Sequence, residues 1–158
     1  MKIKLLSFVL AALFFNACNV GVNKDLLSGL KMTNNGLSYK EAFLQMDEAK
    51  LNSSEFPTGK EIFLYTKGVS GFTLKEGMIY LGGSISILDE NGKEVLGNPD
   101  LFTEFDQTGI APEQAEDIHF KLTVGEPLVV GSKYTWKSKI WDKNGKGTID
   151  AELEFVVK

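Results

Sequence analysis

The stretch Asp142-Lys143-Asn144-Gly145-Lys146-Gly147-Thr148-Ile149-Asp150 most invites a chemical reading. Asp142, Asn144, Gly147 and Asp150 fall at positions 1, 3, 6 and 9 of a twelve-residue calcium loop. Position 5, however, holds Lys146, a cation where an oxygen ligand is required, and position 12 holds Leu153 where a bidentate glutamate belongs. The segment therefore reads as a turn between strands, and no metal is expected there. His119 is the only histidine and Cys18 the only cysteine. A zinc site cannot be assembled from one imidazole, and a serine nucleophile would have to take His119 as its base with a third group to orient it. No serine sits in a nucleophile-elbow pattern, and no cofactor motif is legible.

Carboxylates are plentiful between residues 98 and 117: Asp100, Glu104, Asp106, Glu113, Glu116 and Asp117. Two carboxyl groups about 5–10 Å apart can hydrolyse a glycoside. A solvated acidic loop explains the same composition, so a hydrolase is the lesser reading. Trp141 is the better contact residue. Strict alternation from Trp136 puts it on the face of Lys137 and Lys139, where an indole could stack on a sugar or anchor a protein. A bulge near the turn would instead return it to the edge of the core. Phe102 and Phe105 lie in the same acidic segment without an assigned strand. Plugging the end of a core is the plainer role for them, and partner contact the alternative.

These residues must be positioned by a β scaffold. The clearest element is a C-terminal hairpin, Lys133–Trp141 and Thr148–Val157, around Asn144-Gly145, a pair suited to a two-residue type I′ turn. Pairing outward from that turn sets Ile140 against Ile149, Ser138 against Ala151, Trp136 against Leu153 and Tyr134 against Phe155. The opposite face then joins Lys139 to Asp150 and Lys137 to Glu152. One register yields an apolar face and a charge-complementary face together, and a slip of one residue destroys both. A second Asn-Gly, Asn91-Gly92, joins a strand near Met78–Leu88 to one near Lys93–Leu96. Further strands are expected at Leu37–Leu44, Glu61–Thr66 and Asp117–Val124. His119 lies on the last of these and points away from Ile118, Phe120 and Leu122, as a solvated strand residue. Residues 98–116, with Pro99 and Pro112, read as a long connection with a short helical turn near Pro112–Glu116.

Composition narrows the function. Of 158 residues, 43% are hydrophobic and 24% charged, the balance of a globular chain. Without Lys2 and Lys4 the remainder carries 15 lysines against 21 carboxylates, a formal charge of −6. Such a domain repels a phosphate backbone, so nucleic acid is not an expected partner. All 17 basic residues are lysines, so bidentate guanidinium recognition is absent.

At the N-terminus, Lys2 and Lys4 precede an apolar run, Leu5–Phe15, that is too short to span a bilayer. Phe15-Asn16-Ala17-Cys18 follows, and it resembles the lipobox of bacterial lipoproteins, with Phe15 where leucine is usual and Asn16 in place of a small residue. The resemblance implies a signal peptide at 1–17, lipid on Cys18, a tether over 18–25 and a folded domain over 26–158. Leu128, Gly131 and Tyr134 resemble in their spacing the tyrosine corner of immunoglobulin-like domains, with Tyr134 opening strand F and Thr148–Val157 as strand G. The fold expected is all-β, an immunoglobulin-like antiparallel sandwich behind a lipoprotein signal. The Arg-free composition resembles lipoproteins of Bacteroidetes. The role implied is a membrane-tethered, non-enzymatic binding or structural module of the cell envelope, with another envelope protein as partner. A carbohydrate-binding module using Trp141 is the alternative. No acidic run follows Cys18, which favours the periplasmic face of the outer membrane over the cell surface.

Overall fold

The structure, a computed structural model, describes residues 20–158. Its strands are β1 (Val20–Lys24), β2 (Lys31–Asn35), β3 (Glu41–Met46), β4 (Ala49–Lys50), β5 (Glu55–Phe56), β6 (Glu61–Lys67), β7 (Leu81–Leu88), β8 (Glu94–Asn98), β9 (Asp117–Thr123), β10 (Lys133–Asp142) and β11 (Thr148–Val157). One sheet runs β1-β2-β11-β10-β7-β8, with β5 pairing parallel to the end of β11; the other runs β4-β3-β6-β9. The chain therefore changes sheet between β2 and β3, on either side of β5, between β6 and β7, between β8 and β9, and between β9 and β10. This is the Greek-key order of an immunoglobulin-like sandwich, with β10 and β11 as strands F and G. Tyr134 closes the corner: the Val129 backbone N–H donates to its hydroxyl at 2.9 Å, while Leu128 is buried and Gly131 takes the left-handed φ of +84° that the bend requires.

The β10–β11 register is the one read from the hairpin, from Tyr134↔Phe155 through Ile140↔Ile149. The apolar face dictates it. Tyr134, Trp136, Ile140, Ile149, Leu153 and Phe155 are all buried, and each large side chain is worth roughly 1.5–3 kcal/mol when buried. The ion pairs of the other face, Lys137–Glu152 at 3.6 Å and Lys139–Asp150 at 3.7 Å, are half-exposed and worth a few tenths of a kcal/mol each. Ser138 sits on the buried face because its hydroxyl accepts the Trp136 indole N–H at 2.7 Å.

Several sequence expectations change, and others gain detail. Asn144 and Gly145 do not adopt left-handed φ, so the turn is not type I′. Asp142 N–H donates to the Gly147 carbonyl, and a four-residue loop is drawn aside by bonds to neighbouring loops. At the second Asn-Gly only Gly92 is left-handed, at +77°, and its N–H donates to Asp89 O in a longer turn. The expected tether 18–25 is already strand from Val20: Val20–Lys24 pairs with Lys31–Asn35 and adds a hairpin to the edge of the sheet beyond β11. β1 itself joins through backbone pairing, since Val20 and Val22 stay largely exposed, while Leu30 and Met32 anchor the hairpin in the core. Met78–Leu88 begins as strand only at Leu81, and Leu37–Leu44 shifts to Glu41–Met46. The long connection carries 3-10 turns at Thr103–Phe105 and Pro112–Ala115.

Candidate binding surfaces

Trp141 and Phe102, for which the sequence left partner contact and core packing both open, settle on opposite faces of one strand. Trp141 pairs with Gly82 of β7 on the outer face of the larger sheet, and its indole lies over that glycine. Phe102 lies over Gly83 on the inner face and packs with Phe105, ring centroids 6.5 Å apart, against the core. The two phenylalanines thus plug one end of the sandwich. Trp141 keeps part of its surface in solvent.

The acidic connection is fastened to the β10–β11 loop. The Lys143 ammonium donates to Asp100 at 2.6 Å and also to Asp106. The other oxygen of Asp100 accepts the backbone N–H of Gly83 at 3.2 Å and of Phe102 at 3.0 Å. Burial pushes the Asp100 carboxyl up, but the bonds from Lys143, Phe102 and Gly83 together with the Lys143 charge outweigh it and hold the group below its ordinary value. Burial likewise pulls Lys143 down, and its bonds and charge pairing with Asp100 and Asp106 raise it on balance. A general acid of a glycosidase needs a raised carboxyl pKa; Asp100 is shifted the other way. Asp117 accepts the Gly68 N–H at 3.3 Å, while Glu104, Glu113 and Glu116 are exposed.

Asp142, the first residue of the calcium-like pattern, is buried and serves the backbone. Its carboxylate accepts the Thr73 N–H at 2.7 Å and the Asn144 N–H at 2.9 Å. Gly145 is needed here for close approach, since a Cβ would fall 2.2 Å from Asp142 Oδ2. Among the described residues no group of three or more His, Cys, Asp or Glu side chains is placed to hold a metal ion. Cys18 lies outside the described residues.

The most pronounced surface was not singled out by the sequence. On the outer face of the smaller sheet, register aligns Phe43 of β3, Tyr65 of β6 and His119 of β9 in one row, with Phe63 beside them. Phe43 and Tyr65 stack at 5.5 Å, Phe63 and Tyr65 at 6.0 Å, and His119 lies 5.2 Å from Tyr65 and 5.8 Å from Phe63. The Lys50 ammonium sits 4.4 Å from the Phe43 centroid, and that of Lys67 lies 5.8 Å from both Phe43 and Tyr65. His119 is exposed, as its alternation implied, and the three large rings are half-buried only by one another and their neighbours. The missed signal was arithmetic. Ile62-Phe63-Leu64-Tyr65 is apolar throughout, yet a sandwich strand has one inner face, so half of that run must point outward.

The chain is similar to the crystal structure of the C-terminal domain of wzt, with a TM-score of 0.53 at 13% identity, over 78% of this chain and 74% of that one. At such identity the likeness speaks for the β-sandwich fold alone. No family model matches the chain, and no curated protein matches it.

Proposed function

We propose that this chain is a non-enzymatic binding or structural module of the bacterial envelope, held to the outer membrane through lipid on Cys18, on the periplasmic side, and engaged with another envelope protein. The observation that carries the reading is the aromatic row Phe43–Tyr65–His119 with Phe63, on the side of the sheet away from the core. Clustered aromatics outside a core are the composition of interface centres. Their ring faces are already occupied by one another and by Lys50 and Lys67. Edges and ammonium groups remain for a partner, which suits protein side chains better than the flat face of a sugar.

A photo-crosslinking residue at position 119 in intact cells tests the contact and the anchor together. A discrete protein adduct is expected, reduced by Tyr65→Ala and depleted from the membrane fraction by Cys18→Ser. Absence of any adduct would overturn the contact. Full membrane retention of the Cys18→Ser protein would overturn the anchor.

A further inference from the structure

The outer face of the larger sheet, on the other side of the domain from the aromatic row, has a different chemistry. From β7 it receives Gly82, Ser84 and Ser86, and from β8, opposite Ser86, Gly97. Gly82, Ser84 and Ser86 thus carry little or no side chain, while the Glu94 carboxylate lies over Gly97 and accepts the Ser86 hydroxyl. The adjoining β10 raises Lys137, Lys139 and Trp141 beside them, and β11 adds Asp150 and Glu152. Over Ser84 and Ser86 lies a depression of about 290 Å³ whose walls also include Thr33, Lys139 and Asp150. Trp141 stands one outward position beyond Lys139, lying over Gly82.

We infer that this trough binds a neutral oligosaccharide of equatorially substituted, β-1,4-linked hexopyranoses, with Trp141 as stacking platform. The indole can lie against the sheet because residue 82 has no side chain: a Cβ there would sit 1.9 Å from Cε2 and 2.1 Å from Cζ2. A ring held flat presents a face, and a face is what packs against the C–H surface of an all-equatorial pyranose. The equatorial hydroxyls of such a sugar radiate sideways, where Ser84 and Thr33 can donate and accept and Ser86, whose hydroxyl donates to Glu94 at 2.6 Å, can accept. The pairs Lys137–Glu152 and Lys139–Asp150, at 3.6 and 3.7 Å and half-exposed, are loose enough to keep hydrogen-bonding capacity for a ligand. Opposite charges alternate along the floor, which favours a neutral ligand over an anion. This surface differs from the aromatic row in the one respect that matters for sugars, since there the ring faces are spent on one another.

Titration with cellohexaose and chitohexaose, followed by tryptophan fluorescence and calorimetry, tests the site. Trp136 is buried, so a sugar-dependent change reports Trp141. Saturable binding of at least one hexaose is expected, weakened tenfold or more by Trp141→Ala and by Ser84→Phe, which fills the trough while leaving the indole in place. Tyr65→Ala, on the opposite sheet, should bind as the parent does. Melting curves on each variant establish that it is folded. No binding of either hexaose at millimolar concentration overturns the assignment. So does unchanged binding by both folded trough variants, and equal affinity for maltohexaose removes the stereochemical class.

Discussion

The indole of Trp141 rests on the α-carbon of Gly82, across the β10–β7 ladder, so closely that a methyl group at 82 would lie 1.9 Å from Cε2. The next residue, Gly83, does the same for Phe102 on the opposite face, where a Cβ would fall 2.3 Å from the ring. Two consecutive glycines within a strand, which otherwise weaken a sheet, are explained together by two aromatic side chains laid over them.

Gly82→Ala should therefore destabilise the domain by about 1–3 kcal/mol, the usual range for overpacking. In a Trp141→Ala background the same change should cost almost nothing, because the obstructing ring is gone. A double-mutant cycle from urea unfolding checks this. A coupling energy near zero would contradict the geometry.

Lys143→Met should cost about 1–2 kcal/mol, since it leaves Asp100 and Asp106 without their shared cation in a partly buried setting. The pH dependence follows from the two shifts. Asp100 is held below its ordinary value, so its contribution is full above about pH 4 and fades as pH falls through the folded pKa. Lys143 is raised above 10.5, so its contribution is full below that value and is lost as pH rises past the folded pKa. Thermal melts across pH should show the gap between variant and parent widest near pH 7 and narrowing as pH falls below about 4 or rises above 10.5.

Tyr134→Phe keeps the buried ring and removes the acceptor of the Val129 N–H. A loss of about 1 kcal/mol is expected, about 3 °C in a domain of this size. Amide exchange at Val129 should quicken by more than at Trp136, whose strand bonds are untouched.

Calcium and a chelator should leave the melting temperature unchanged. Both oxygens of Asp142 are already used on backbone N–H groups. Asp142→Ala, by contrast, should cost about 2 kcal/mol by stranding the Thr73 and Asn144 donors. A calcium-dependent rise in Tm in the parent protein would revive a metal role for this loop.

Much of the scaffold was legible because local patterns and long-range packing agree in the hairpin. Alternation, charge complementarity and the Asn-Gly turn all selected the register that places Tyr134 opposite Phe155. The conformation of the turn was not legible, because Lys143 and Asp142 are drawn toward Asp100, Asp106, Thr73 and Tyr80, none of which is near in sequence. β5 was invisible for a similar reason. Its two residues pair with the last turnless stretch of β11, and Phe56 is buried by stacking on Phe155 at 4.6 Å and edging Trp136 at 6.5 Å. The aromatic row escaped because Phe63 and Tyr65 belong to a run whose inner and outer members have the same polarity. Alternation left Trp141 either on the outer face or, through a bulge, at the core edge; the structure has it on the outer face, and nothing in its own strand foretold that a glycine on β7 would receive it.

The added N-terminal hairpin also gives the domain a direction. Val20 pairs with Asn35, which in turn faces Thr148, so the chain enters beside Trp141 and the β10–β11 loop. Its bend, Asp25–Leu30, lies at the other pole, stiffened by the Asp25 carboxylate accepting from Leu27 and Ser28, with Leu26 at 89% and Leu27 at 69% exposure. Val129 and Val130, just ahead of β10, share that pole. A domain held by its leading end would carry these four aliphatic residues as its outermost reach.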